Sequence, residues 1–592
     1  MRLIEIFGLI IVQILLVLSI ITSERIIFYI AVAILVGIIF RLKTPHHKQV
    51  YLVIGIMLLI FLTQAFLITG GNFWQSDSYQ YYRGINVINQ EGYLNIENPS
   101  YTYSTYGFYV LYLILSLAIG MNNILIFYVL GIVISTSILG LFFFLFLKKN
   151  NLPIIPEGLF LIFGIESFFI AGITQFAPQA LGTSFIIFMA YLDYKCCITE
   201  KKYIWQILII FFGAILLIIH LWSFFFFIFC YFLITIINLL YNNNNNNYVK
   251  KRFAILVILI SLLLGYIFFS PWIDTTSISK YNYLIPIIWG LSIIIILLNY
   301  SIIPKINWQN LKVTNLKNKI YFLKKNLLTF TGLIFFLCLS SILIIYGSNL
   351  YPTNSTIFDL ILNHFGFIFF ITLILVGILL MVFEENISFE LKVISISYII
   401  GSLIFLIISL ILLKLGLFLF YPWRHIIYLC IFTPIILGYF YKLIDSKKYI
   451  KDAFFLILLV LILIVSQSAY QFQYLDEEIS SAEWAKINTL EDTTFVTDER
   501  LQGIFSGLID RELSWKKQIF LTGDYSLEYK TELIKFDVNY IIFSEEYSIQ
   551  GARLNQLGGS YNIYNNFSDL DSFKVLNAVY SNGKVDIYYV II

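Results

Sequence analysis

The residues best suited to chemistry lie in one stretch, Gly-Gly-Asn-Phe-Trp-Gln-Ser-Asp-Ser-Tyr-Gln-Tyr-Tyr-Arg, running from Gly70 to Arg83. Its carboxylate, Asp77, comes just past an apolar run, and Tyr79, Tyr81, Tyr82 and Arg83 follow it. A carboxylate at a water–lipid boundary can take a proton or meet the head of a lipid-carried substrate, and an arginine can grip a phosphate. Aromatic faces stack on sugar rings, so the set suits a carbohydrate. The same composition also suits an interfacial aromatic belt with ordinary loop charges, and the residues alone leave both readings open.

Glu166 lies within the apolar stretch 163–170. An ionisable group inside a membrane span is costly and is a functional candidate by default; a carboxyl paired within a helix bundle, or protonated, is the other reading. Arg424, in Tyr-Pro-Trp-Arg-His at 421–425, opens a late apolar run. Its guanidinium can bind a phosphate through two parallel hydrogen bonds, or its long stem can simply carry the charge out to lipid head groups. His220 precedes Leu221-Trp222-Ser223 between two apolar runs, a position where a histidine is more often structural. Asp274 and Asp359 have weaker claims as metal ligands.

These residues are positioned by an unusually apolar chain. It has 592 residues, 59% hydrophobic and only 12% charged, with mean hydropathy +0.85 and net charge +3. A water-surrounded core cannot use that much apolar surface, so most of the chain must dissolve in a bilayer. Apolar runs of sufficient length number about 15: 3–21, 25–40, 50–69, 122–147, 153–172, 176–194, 203–220, 221–240, 252–270, 281–300, 327–346, 358–383, 391–414, 423–443 and 452–469. The links alternate in charge. Counting lysine and arginine, about 23 fall on one side against about five in the membrane-proximal parts of the other. This predicts a multi-pass cell-membrane protein with a cytoplasmic amino terminus and an extracytoplasmic carboxy terminus. The first run is read as a retained signal anchor, because no small-residue cleavage site follows it.

Segment 103–120 is apolar enough to span, yet only one crossing fits between an external Asp77 and an internal Lys148-Lys149 pair. Residues 104–120 are therefore expected to form an interfacial or re-entrant helix anchored by Tyr106, Tyr109 and Tyr112. The predicted organisation is a multi-span membrane domain, 1–469, with a first large external loop, 70–121, and an extracytoplasmic α/β domain, 470–592. In that tail, 495–498, 518–522 and 539–544 read as strands, with helices near 500–511 and 526–536. Residues 574–580 and 584–590 flank Ser-Asn-Gly, a hairpin signal. The asparagine run 242–247 reads as a low-complexity loop beside the basic residues 250–252.

The five cysteines imply no disulfide framework. There is no phosphate-cradling glycine loop with Lys-Ser/Thr, no His-Glu-x-x-His and no Cys-x-x-Cys, which disfavours pumps driven by nucleotide hydrolysis. Nothing points to nucleic acid.

The Asp-x-x-x-Tyr-Tyr pattern starting at Asp77, the Tyr-Gly-Phe-Tyr-Val-Leu-Tyr helix at 106–112 and Gly120-Met-Asn-Asn resemble the GT-C superfamily of membrane glycosyltransferases. That superfamily includes protein mannosyltransferases, aminoarabinose transferases and oligosaccharyltransferases. The resemblance covers the architecture of most of the chain, with its motifs concentrated in 70–120. It implies transfer of a sugar from a polyprenyl-phosphate donor to an acceptor protein, glycan or lipid at the outer face of the bilayer. It further implies Asp77 as general base, or as a ligand to a divalent metal (Mg or Mn), with Glu166 as a second acid. Tyr81, Tyr82, Arg83, His220 and Arg424 would bind substrate. Ser78 stands where the protein mannosyltransferases carry a glutamate after the aspartate, a departure that leaves the subfamily open. The rival readings are a transporter or flippase of lipid-linked glycans, and a non-catalytic relative whose tail is a binding module.

Overall fold

Unpaired backbone amides are untenable in hydrocarbon, so long apolar runs fold as helices that satisfy their own N–H and C=O groups. The computed structural model describes residues 3–22, 76–93, 105–120, 124–149, 177–199, 202–241, 246–269, 388–414, 475–490, 493–498, 537–545 and 576–591, with shorter pieces between them. The helices are α1 (Leu3–Thr22), α2 (Ser76–Glu91), α3 (Tyr106–Ile119), α4 (Ile124–Lys149), α5 (Pro178–Ile198), α6 (Lys202–Ile219), α7 (Leu221–Tyr241), α8 (Asn246–Phe269), α9 (Phe389–Lys414) and α10 (Asp476–Asn488). The strands are β1 (Phe495–Val496), β2 (Tyr540–Ser544), β3 (Ala552–Leu554), β4 (Gly559–Tyr561), β5 (Leu576–Ser581) and β6 (Val585–Val590).

Among the described residues four helices are long and apolar enough to cross a membrane: Ile124–Phe142, Pro178–Ile198, Leu221–Asn238 and Phe389–Leu406. Expected spans at 50–69, 153–172, 281–300, 327–346 and 452–469 lie outside the described residues. The exposed side chains carry a second sign of a membrane protein. On α6, Tyr203, Ile207, Phe211 and Ile218 form an exposed apolar stripe, while Ile209, Leu216 and Leu217 are buried. On α1, Phe7, Ile10, Ile14, Val17 and Ile21 do the same. Water-facing helices do not present such stripes; helices surrounded by lipid do.

The chain divides into two compact units, one of residues 1–61, 134–173 and 181–469, the other of 62–133, 174–180 and 470–592. In the first, α7 is the hub and packs against α6, α8 and α9. Phe226 of α7 meets Tyr398 and Phe405 of α9 edge-on, at ring separations of 6.0 and 5.8 Å. The asparagine run does not stay a loop to its end, because α8 begins at Asn246 and carries Arg252 within its helix. Arg252, expected among the basic residues of that link and at the start of the run 252–270, is fully buried.

In the second unit α2 packs on α3. The region after Asp77 is thus a helix where a polar loop was expected: α2 takes in Asp77 through Glu91. Helix α3 occupies the expected interfacial segment and ends at Gly120 in the left-handed conformation, φ +71°, where the Gly120 N–H donates to the carbonyls of Ser116 and Leu117. At 14 residues it is about 21 Å long, short of a span. Tyr109 and Tyr112 are fully buried, contrary to the expectation of interface anchors. The physical reason is helical spacing: with Phe108 they form one face of α3, and α2 needs an apolar face to pack on.

The tail builds a four-stranded sheet in the order β1-β2-β6-β5, with β1 and β2 parallel and the other pairings antiparallel. Its core includes Phe495, Ile541, Phe543, Val585 and Ile587, with Ala482 and Ala485 of α10 also buried. The hairpin turn lies one residue later than Ser-Asn-Gly suggests. Ser581 still pairs with Asp586, and the Asn582 side-chain oxygen accepts from the N–H groups of Lys584 and Val585, at 3.2 and 2.8 Å. Asp498 caps the next helical segment by accepting from the Leu501 N–H at 2.9 Å. Helix α10 was not expected. Three acids, Asp476, Glu477 and Glu478, start it, and buried Glu478 accepts from the Leu475 N–H at 3.0 Å and from Ser544 of β2 at 2.8 Å. The strand expected at 518–522 lies outside the described residues.

Candidate functional site

Asp77 is the second residue of α2. The first turn of a helix has unpaired N–H groups and the positive end of the helix dipole, a setting that favours a carboxylate. What fixes this turn is an aromatic cluster further along the helix. Tyr81 is buried against Phe108 and Tyr109 of α3, with ring separations of 5.6 and 6.1 Å. Tyr82 meets Phe127 of α4 edge-on at 5.6 Å, and Phe108 and Tyr112 lie 4.6 Å apart. Gly84 permits this packing, because a Cβ there would come within 2.7 Å of the Tyr109 ring. Arg83, on the same helix, is half-buried. Asp77 and the Tyr81, Tyr82 and Arg83 group thus lie on two successive turns of one helix rather than on a loop.

In the other unit, His220 is the single residue between α6 and α7, and it is buried. Its Nδ1 receives the backbone N–H of Ser223 at 3.2 Å and lies 2.7 Å from Ser223 Oγ. Ser223 Oγ is in turn 2.9 Å from the Tyr428 hydroxyl, and the Tyr428 ring stacks on Phe226 at 4.5 Å with an interplanar angle of 8°. Helix α5 closes on this corner at Gly182, where a Cβ would come within 2.7 Å of Ser223 Oγ and 2.8 Å of His220 Cβ. Next to it, the hydroxyl of Thr183 is fully buried with no hydrogen-bond partner. Tyr428 stands four residues after Arg424.

Glu166, Arg424, Asp274 and Asp359 lie outside the described residues. Among the described residues no three His, Cys, Asp or Glu side chains come together as metal ligands.

The structure also contains an ionic cluster that the sequence reading missed. Asp193 of α5 and Arg252 of α8 are both fully buried and joined by two hydrogen bonds, at 2.5 and 2.8 Å. Arg252 also donates to Thr235 at 3.3 Å and to the Cys197 sulfur at 3.7 Å, and its guanidinium sits 4.3 Å over the Tyr231 ring. The signal was present, since Asp193 is an acid within an apolar run, as Glu166 is.

No family model matches the chain, and no curated protein does. Solved structures do match it. A structure of the Archaeoglobus fulgidus oligosaccharyltransferase, tethered by a disulfide to an acceptor peptide with the NVT sequon, is similar at TM-score 0.51 and 13% identity. That match covers 84% of this chain and 69% of the other. A structure of the same archaeal protein in complex with Zn and sulfate is similar at TM-score 0.49 and 14% identity, covering 83% and 68%. The likeness is one of fold alone: over most of its length the chain is folded like that archaeal oligosaccharyltransferase.

Proposed function

We propose that the chain is a membrane glycosyltransferase that moves a sugar from a polyprenyl-phosphate-linked donor to an acceptor on the outer face of the cell membrane. The observation that carries this reading is the fold likeness to an oligosaccharyltransferase over 84% of the chain. Support also comes from a carboxylate in the first turn of a helix, with a tyrosine pair and an arginine along the same element.

In this reaction an acceptor group attacks the anomeric carbon, the bond from that carbon to the phosphate oxygen breaks, and the lipid phosphate leaves with the electron pair. Asp77 takes the acceptor's proton as general base, and Glu166 is the second acid. Tyr82 and Arg83, with Tyr81 beside them, contact the donor, while Arg424 and His220 bind its phosphate. If a divalent ion such as Mg or Mn took part, Asp77 would hold it as an oxygen ligand instead of acting as the base, a donor chemistry that suits hard cations. The arrangement proposed around them is a membrane domain, 1–469, with its external loop at 70–121 and an extracytoplasmic domain, 470–592. The amino terminus is cytoplasmic. The acceptor is a protein, a glycan or a lipid; a peptide is the first to try, because the similar archaeal enzyme holds one.

The test is reconstitution in proteoliposomes with a labelled polyprenyl-phosphate sugar and a panel of peptide, glycan and lipid acceptors. The expected result is a new glycosidic bond and release of polyprenyl phosphate. Movement of intact donor between leaflets with its sugar bond unchanged would establish transport of lipid-linked glycans instead.

A further inference from the structure

We propose that the buried opening turn of α5 binds a phosphate oxyanion, with the side-chain amide and the backbone N–H of Gln179 as its donors. The site lies outside the residues assigned to sugar transfer and stands without that activity.

The sequence leaves this turn without a cap. Ala177 precedes α5 and carries no side-chain acceptor, and Ala180 stands where a capping glutamate would reach back. No acidic residue lies in the first turn, so the positive end of a 21-residue helix meets no negative charge from the helix itself. Pro178 has no N–H, and the Ala180 N–H donates to the Ala177 carbonyl at 3.1 Å. The first-turn donor left over is the N–H of Gln179. On an exposed helix water would satisfy it, but here the turn is covered, with Ala177 and Ala180 only 5% and 1% exposed.

Gln179 supplies the second, independent sign of a ligand. Its side chain is 6% exposed, and its Nε2 has no hydrogen-bond partner. A buried donor left unmet costs about 1–3 kcal/mol, so a group that accepts from it is favoured. Side chains on a helix lean toward its amino terminus, which carries the Gln179 amide over the opening turn, on the side its own N–H faces. Two donors of one residue thus meet at the positive end of a helix. A ligand that only accepts, carries negative charge and has more than one oxygen fits them.

Depth selects phosphate among such oxyanions. Among the described residues, Pro178–Ile198 is one of four helices long and apolar enough to cross a membrane. Its 21 residues span about 31 Å, close to the hydrocarbon thickness of a bilayer. The first turn therefore comes at head-group level, where the abundant oxyanion is phosphate, either on a lipid or free in the adjoining water. Protein covers the turn, so a phosphate there is held by defined donors and not by the bilayer surface at large.

The probes are inorganic phosphate, a polyprenyl monophosphate and the matching polyprenol, each titrated against the full chain in maltoside micelles and phosphate-free buffer. Hydrogen exchange of the peptide that opens α5 gives a local readout, and the thermal midpoint is recorded alongside. A phosphate-bearing probe should slow exchange in that peptide, and polyprenol should not. Protection at lower concentration by the polyprenyl monophosphate assigns a lipid head group; equal or better protection by inorganic phosphate assigns free phosphate. Gln179→Met keeps the volume and the backbone N–H but has no amide, and should bind about tenfold more weakly. Gln179→Glu sets a carboxylate where the oxyanion would sit, and should bind about a hundredfold more weakly. A buried water on the amide predicts instead that neither phosphate probe protects the peptide, and that result overturns the proposal. So does equal protection by polyprenol, or binding by either variant within about threefold of the parent. Should Gln179→Glu not fold, Gln179→Met decides by the same threshold.

Discussion

The Asp193–Arg252 pair and the His220–Ser223–Tyr428 chain both lie within the helical unit, and both bury polar atoms in an apolar bundle. They handle the cost differently. The first is ionic: a fully buried guanidinium shares two hydrogen bonds with a fully buried carboxylate, meets Thr235 and Cys197, and lies over the Tyr231 ring. It ties α5, α7 and α8 together, and its charges cancel locally. The second is a chain of side-chain hydrogen bonds that joins the His220 imidazole, the Ser223 hydroxyl and the Tyr428 hydroxyl at the junction of α6 and α7. A cancelled charge pair serves the fold, because losing either partner strands an ion in low dielectric. The second cluster instead satisfies its buried polar atoms by hydrogen bonds between side chains.

Breaking the ionic cluster should give the largest change in stability. Asp193→Ala leaves Arg252 buried without its counter-charge, and thermal or denaturant unfolding in micelles should show a loss of about 3–5 kcal/mol. A Gly182→Ala variant pushes a methyl into the space of Ser223 and His220. It should cost about 1–3 kcal/mol in unfolding. Ser223→Ala removes the middle of the chain but keeps its backbone cap, so unfolding should report only about 1 kcal/mol. The smallest effect belongs to the double variant Asp193→Leu/Arg252→Met, which replaces both ions by apolar groups and should unfold within about 1 kcal/mol of the parent. A large loss there would mean that the ion pair does more than cancel itself.

The two clusters also differ in how far they could be read from the chain. His220 was visible as a lone histidine between two apolar runs, but its partners were not: Tyr428 is 205 residues from Ser223, and no local pattern links them. Arg252 was misread for a definite reason. It ends the basic run at 250–252 and was counted with that link at the very edge of the run 252–270, whereas α8 starts six residues before it and carries it into the bundle. Helices at 124–149, 178–198, 202–219, 221–241 and 389–414 were legible because unbroken apolar runs of that length have few alternatives. Tyr109 and Tyr112 were placed at an interface because aromatic residues in a short apolar helix suit one, and only the presence of α2 puts them inside. In the tail the hairpin was legible through Asn582-Gly583, while α10 was not. Its cue is an acidic first turn, and the apolar periodicity of the helix is weak.

The most direct measurement is sugar transfer by Asp77→Asn in proteoliposomes supplied with labelled polyprenyl-phosphate sugar and a competent acceptor. The side chain keeps its shape but loses its basicity. If Asp77 is the general base of a membrane glycosyltransferase, kcat falls by about a hundredfold or more while the thermal midpoint and phosphate-lipid affinity stay near those of the parent. Full transfer by Asp77→Asn would contradict that role.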